Sequence, residues 1–250
     1  MEKKIELNTN WLGRNILYYQ ILDSTQSMSH IMATNQSPHG TIIIAEEQTD
    51  GRGRLGRVWY SEKEKGIWMS IILRPAFNIQ SAPQITLLTS IIVQRTLKKM
   101  FDIDSKIKWP NDIYIDHRKC AGILCEVKGD LNNYYLVVGI GINTHKTEYQ
   151  DVIKNKAISI EEKINHSPKR LEIIIELINE FEKSYDSFQQ DGLKIFREEY
   201  IDVMYGLNYK ILYNNIIGYI KGIDENGHLL VREEDGNFIN VSSGEIKFLF

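Results

Sequence analysis

The hydrophobic and polar positions alternate in blocks that predict a mixed α+β chain. Thr41 to Glu46 is β-branched and apolar, and Gly66 to Leu73 repeats that character, so each predicts a buried strand. Asn15 to Gln20 predicts a shorter strand. Ser24 or Thr25 then opens a helix to about Asn35, with a hydroxyl residue at the N-cap. From Ala82 to Met100 apolar residues fall at helical spacing (Ile85, Leu88, Ile92, Leu97), which predicts a helix lying on a sheet. Lys106 to Trp109, Asp112 to Asp116, Cys120 to Lys128 and Tyr134 to Ile142 follow as strands joined by tight polar turns, a pattern that implies antiparallel pairing. Residues 169 to 188 place Leu171, Ile174, Ile175, Ile178, Phe181 and Tyr185 on one helical face. Beyond Gly206 the turn signals Asn214-Asn215, Glu225-Asn226-Gly227 and Asp235-Gly236-Asn237 come at close spacing, the mark of a small β-barrel of SH3 type. The expected organisation is therefore α+β, with a mixed, mainly antiparallel sheet and packed helices over residues 1–205 and an SH3-like unit over 206–250. There is no internal repeat and no low-complexity segment.

Composition narrows the function classes. The 250 residues carry 25% charged side chains and a net charge of −3, which argues against a protein whose main role is to coat nucleic acid. Met1 to Glu6 has no apolar stretch suited to a signal peptide, and no run reaches membrane-span length, so a cytoplasmic location is expected. The 6 histidines are scattered without metal-ligand spacing. Cys120 and Cys125 lie an odd number of positions apart in one strand. Strict alternation would send them to opposite faces, unpaired and reduced.

The chemistry concentrates in two segments. Gly51-Arg52-Gly53-Arg54-Leu55-Gly56-Arg57 threads three guanidinium groups through three glycines, directly before Trp59 and Tyr60. Glycine lets backbone N–H groups approach a ligand and arginine offers a planar fork for phosphate or carboxylate oxygens, so the loop is suited to close on an anion. The second segment is Lys108-Trp109-Pro110-Asn111-Asp112, followed by Lys119-Cys120-Ala121-Gly122-Ile123-Leu124-Cys125-Glu126. Gly139, Gly141 and Asn143 alternate with Ile140 and Ile142, giving a strand with one bare and one apolar face. A bare face admits either a flat ligand or a closely packed helix.

Together with Asp23-Ser24-Thr25-Gln26 and Ala45-Glu46-Glu47-Gln48 upstream and Gly244-Glu245-Ile246 near the end, these motifs resemble the biotin protein ligase family over nearly the whole chain, from about Asn15. The resemblance implies a catalytic unit like that of class II synthetases and an SH3-like C-terminal unit. It implies a ligase that spends ATP, as its magnesium complex, to convert biotin into biotinoyl-5'-AMP and then passes the biotinoyl group to a lysine of a biotin carboxyl carrier protein. The form expected lacks the DNA-binding domain that some relatives carry, because only about fifteen residues precede the first strand. No DNA or membrane partner is expected, and the oligomeric state, a homodimer included, stays open.

Residue roles implied by the resemblance follow motif by motif. Lys119, Arg52, Arg54 and Asp112 are the candidate catalytic groups, with Asp112 either a magnesium ligand or the group that orients the incoming lysine. Ser24, Thr25, Gln26 and Gln48 meet the ureido head of biotin. Gln26 stands where the family usually has asparagine. Arg52, Gly53, Arg54, Lys119, Gly122, Leu124, Gly139 and Gly141 complete the biotin site, with apolar lining from Trp59, Leu124 and Ile123. The nucleotide falls to Arg52, Arg54, Arg57, Trp59, Lys108, Asn111, Asp112, Lys119 and Asn143. Arg57 touches the pyrophosphate or fixes the loop, and Leu55, where relatives often have arginine, is expected to tuck beneath it. Residues 144 to 160 match no transferable pattern and offer no candidate for stacking on adenine. The competing readings are a lipoate-protein ligase, a non-enzymatic nucleic-acid or regulatory module, and an inactive biotin sensor.

Overall fold

The computed structural model describes residues 7–131, 133–148 and 155–249. The charged start, Met1 to Glu6, and part of the unassigned 144–160 stretch lie outside these residues. Among the described residues, twelve strands form two sheets. The first has seven strands in the order β1-β2-β3-β7-β6-β5-β4, and the second five in the order β11-β10-β9-β8-β12.

β1 (Ile16–Leu22) and β2 (Thr41–Gln48) run parallel, joined by helix α1 (Thr25–Thr34). β3 (Gly66–Leu73), β7 (Tyr134–Asn143), β6 (Arg118–Gly129), β5 (Asp112–Ile115) and β4 (Lys106–Lys108) continue antiparallel, as their short connections require. Helices α2 (Gln84–Phe101) and α4 (Arg170–Asp191) pack on one face of this sheet, against Ile42, Ile44, Met69, Ile71, Ile123, Val138, Ile140 and Ile142. On the opposite face Ile43, Ala45 and Ile72 pack with Ala33 of α1. The β2 run is thus apolar at consecutive positions because both of its faces are covered.

Two short helices, α3 (Ile160–Ile164) and α5 (Arg197–Asp202), have too few turns to show a periodic stripe. α3 nonetheless carries a capping box, Ser159 with Glu162, which satisfies orphan backbone donors at its start. Glu182 of α4 accepts backbone N–H groups of Asn10, Trp11 and Leu12 at 2.5, 2.8 and 2.7 Å and so clamps the segment before β1.

The second sheet, of β8 (Lys210–Tyr213), β9 (Ile216–Ile223), β10 (Leu229–Glu233), β11 (Phe238–Val241) and β12 (Lys247–Phe248), is antiparallel throughout. Where an SH3-like barrel is expected, the chain forms this five-stranded sheet, and among the described residues β11 and β12 do not pair to close it. Its inner residues Ile211, Ile220, Val231 and Val241 join the core of the first sheet, and the Trp109 indole donates to Gly227 O at 3.0 Å across the junction. No helix among the described residues is long and apolar enough to cross a membrane.

One irregularity matters for the site. In the β5–β6 ladder Ile113 pairs with Ala121 but Tyr114 pairs with Lys119, so Cys120 is a surplus residue, a β-bulge. The bulge corrects the expectation for the cysteines: Cys120 is buried in the α2-side core and Cys125 packs against that same core. Both are free, and burial pushes both thiols up to about 12.

Candidate active site

The face of the first sheet that carries α1 also carries a cavity of ≈ 670 Å³. Its floor is set by strand register. Gly139 lies between Ser70 of β3 and Leu124 of β6, and Gly141 between Trp68 and Gly122. Ile140 and Ile142 point to the other side, into the core. The helix-packing reading of the bare strand holds at Gly139. Gln26 of α1 packs on Gly139, its Oε1 2.6 Å from where a Cβ would stand. A flat ring lies on Gly141, where a Cβ would come 2.6 Å from Nε1 and Cε2 of the Trp59 indole, and that ring also covers Gly122.

At one end the cavity is polar and neutral. Ser24 caps α1, its Oγ accepting the backbone N–H groups of Gln26 at 3.2 Å and Ser27 at 3.5 Å. Gln48 Oε1 accepts from Thr25 N at 2.8 Å and Thr25 Oγ1 at 3.1 Å. Thr25 Oγ1 is also 2.9 Å from Ser70 Oγ, a residue that the sequence reading missed because Ser70 sits inside an apolar strand. Gln26 is buried, and its longer amide is committed to the protein. Nε2 donates to Glu126 Oε2 at 2.9 Å and Val137 O at 3.2 Å, and Oε1 accepts from Ser70 at 3.2 Å. It ties α1 to the sheet behind Thr25. Glu126 also faces His30 at 3.0 Å, and that contact, helped by Gln26 and the Arg52 charge, holds its carboxyl down at about 2 despite partial burial.

Cations gather along the rest of the cavity. Lys119 reaches it because the Cys120 bulge resets the alternation of β6, turning Lys119 to the same face as Gly122. Its Nζ stands 2.7 Å from Asp112 Oδ1 and 5.0 Å from the Trp59 ring centroid. Arg54 donates to Asn111 Oδ1 at 2.8 Å, while Asn111 Nδ2 donates to Ile123 O at 2.9 Å, so the loop is hooked to the end of the Lys-Trp-Pro-Asn-Asp segment. Arg52 and Gly53 line the cavity, Arg52 exposed. Lys108 stacks between Tyr114 and Phe248, 5.4 and 5.7 Å from their ring centroids.

The remaining expected site residues have other partners. Arg57 forms a 2.5 Å ion pair with Glu245 of the C-terminal segment, which favours the loop-fixing alternative. Leu55 does not tuck under the loop: it is 72% exposed at the crest of a 3-10 turn over Arg54–Gly56, with a left-handed φ of 57°. Asn143 donates its amide to Lys119 O at 3.4 Å and Ile158 O at 3.3 Å, pinning the segment that follows residue 154 to the edge of β6. Gly244, Glu245 and Ile246 also line the cavity, contacts between distant parts of the chain that no local pattern discloses. Among the described residues no group of three or more His, Cys, Asp or Glu could hold a metal ion, so Asp112 stands as a single carboxylate.

The chain that carries this arrangement, a neutral polar end and a cationic middle under a glycine loop, is similar to known proteins. Residues 17–143 match the Biotin/lipoate A/B protein ligase family and residues 210–249 the Biotin protein ligase C terminal domain. The bifunctional ligase/repressor BirA of Bacillus subtilis is 34% identical over 242 residues, covering 94% of this chain and 74% of the relative. The biotin--[acetyl-CoA-carboxylase] ligase of Mycobacterium tuberculosis is 25% identical over 218 residues, 84% of this chain and 79% of that one. The biotin protein ligase of Aquifex aeolicus, solved in complex with biotin and ATP, superposes with a TM-score of 0.82 at 30% identity, over 94% of this chain and 99% of that one. The chain therefore belongs to the biotin/lipoate A/B protein ligase family and is similar, across both of its sheets, to the biotin protein ligases within it.

Proposed function

We propose that this protein is an ATP-dependent biotin protein ligase. It joins the biotin carboxylate to the α-phosphate of ATP with release of pyrophosphate, then transfers the biotinoyl group from AMP to the amine of a carrier lysine. The observation that carries this reading is the convergence of Arg52, Arg54 and Lys119 on one cavity whose other end, Thr25 and Gln48, offers neutral hydrogen-bonding groups. A ureido ring needs neutral donors and acceptors, whereas an anionic carboxylate and phosphate need cations.

The chemistry follows from charge. Two anions must approach for the first step, and Arg52 and Arg54 screen their repulsion. Lys119 stands beside the acyl centre and stabilises the oxygen charge that develops in both steps, the kind of preorganised donor that is worth most in a partly dry site. Asp112, 2.7 Å from Lys119, holds that ammonium in place and offers a carboxylate to the incoming lysine amine. Where ATP binds as its magnesium complex, Asp112 would be the protein carboxylate to hold the metal, which would supply charge neutralisation at the triphosphate. Trp59 on Gly122 and Gly141 separates the reacting centre from water, and the Arg57–Glu245 pair secures the loop to the C-terminal unit, which we place at residues 206–250.

The acceptor is a biotin carboxyl carrier domain of a carboxylase, and the reaction is cytoplasmic. The test is to incubate the protein with MgATP, a biotin carboxyl carrier domain, and either biotin or lipoate, and to weigh the carrier. A mass gain with biotin alone is expected. Gain with lipoate alone would overturn the assignment.

A further inference from the structure

Gln48 ends β2 just before the arginine loop, and Ser61 receives the chain just after it. The two form a backbone bridge, with Gln48 N donating to Ser61 O at 3.0 Å. Their side chains add a directional link. Ser61 Oγ accepts from Gln48 Nε2 at 2.7 Å and donates to Trp59 O at 3.1 Å. Trp59 N in turn donates to Gly51 O at 2.8 Å, closing the neck of the loop. Ser61 is 5% exposed, and a Cβ on Gly51 would stand 2.8 Å from its Oγ, so the hydroxyl has little room to turn elsewhere.

The proton count determines what Gln48 can offer. The single Ser61 proton is given to Trp59 O, so its oxygen can only accept from Gln48, and the Gln48 amide must turn its nitrogen toward Ser61 and its oxygen toward Thr25. A flipped amide would set oxygen against oxygen at Ser61 and donor against donor at Thr25 N.

We propose that Ser61 is a positioning residue that couples recognition at the neutral end of the cavity to closure of the arginine loop. It sets the amide orientation with which Gln48 meets the ligand, and the same hydroxyl anchors Trp59 over the glycine floor. Binding of the neutral head then stiffens the neck, and the stiffened neck holds the loop over the activated acyl group. This inference rests on the ligase reading above.

The experiment compares wild type, Ser61→Ala, and the near-isosteric pair Ser61→Thr and Ser61→Val in the full chain. KM for biotin, kcat, melting temperature, and AMP released per carrier biotinylated are measured. Losing two hydrogen bonds predicts roughly a ten-fold rise in KM for Ser61→Ala. AMP release should exceed carrier biotinylation as adenylate escapes and hydrolyses. Ser61→Thr should restore tight coupling relative to Ser61→Val, a comparison that stands even if Ser61→Ala does not fold. In a double-mutant cycle with Gln48→Ala the two KM effects should be strongly non-additive. A lower melting temperature with wild-type KM and one AMP per carrier would overturn the coupling role while leaving the ligase reading intact, as would additive effects in the cycle. Wild-type protein that fails to modify the carrier would overturn both.

Discussion

Replacing Gly141 by alanine tests the floor of the cavity directly. The residue has no left-handed φ, so alanine suits its backbone, and the effect must come from the new methyl group. That methyl would stand 2.6 Å from Nε1 and Cε2 of Trp59, whereas comfortable contacts are about 3.5–4.0 Å. The indole must therefore move by about 1 Å. A displacement of that size in a reacting constellation costs on the order of 100-fold in rate, or about 2.7 kcal/mol of barrier. The core lies on the opposite side of β7, so the melting temperature should change little. Carrier biotinylation at varied biotin gives kcat/KM, and intrinsic tryptophan fluorescence reports the indole. Trp59→Leu supplies the control: with the indole gone, adding Gly141→Ala should cost little more. Wild-type kcat/KM for Gly141→Ala, or an equal additional loss in the Trp59→Leu background, would refute the idea that the glycine exists to seat the indole.

Three further predictions follow from the geometry. Lys119→Ala should lower kcat by about 100- to 1000-fold, the usual cost of removing one preorganised donor, with thermal unfolding changed far less; near-normal pyrophosphate release would remove Lys119 from the mechanism. Glu245→Ala breaks an exposed ion pair and should cost at most about 1 kcal/mol of stability, yet limited proteolysis within residues 51–57 should accelerate. Unchanged cleavage would show that Arg57 does not tether the loop. Glu126, whose folded carboxyl lies at about 2 against an ordinary 4.5, contributes stability that is complete above about pH 4.5 and fades as pH falls toward 2. Glu126→Gln should therefore flatten the loss of melting temperature in acid, and an identical pH slope would contradict the assignment.

Much of the sheet was legible in the sequence because burial writes itself into local pattern. β3 spans the same residues, Gly66 to Leu73, that its apolar run predicts, and Ser24 caps α1 as its hydroxyl suggests. The arginine loop and Lys119 were legible through chemistry. What local pattern does not carry is pairing at long range. The partnership of Arg57 with Glu245 spans most of the chain, Lys108 meets Phe248 from the second sheet, and Gln26 reaches β6 and β7. Strict alternation also misplaced the cysteines, because one ladder irregularity changes the parity of everything before it. α3 could have been found from its Ser159–Glu162 signature, though five residues give no periodicity to support it.

That ladder irregularity has a practical corollary for recognising distant relatives. Cys120 is housed without altering the side of the sheet on which the neighbouring ammonium emerges, so a strand lacking it would present its lysine in the same direction by plain two-residue periodicity. The fold thus tolerates an interval between lysine and glycine shorter by one position, and a search pattern written with a rigid gap would pass over any chain built that way.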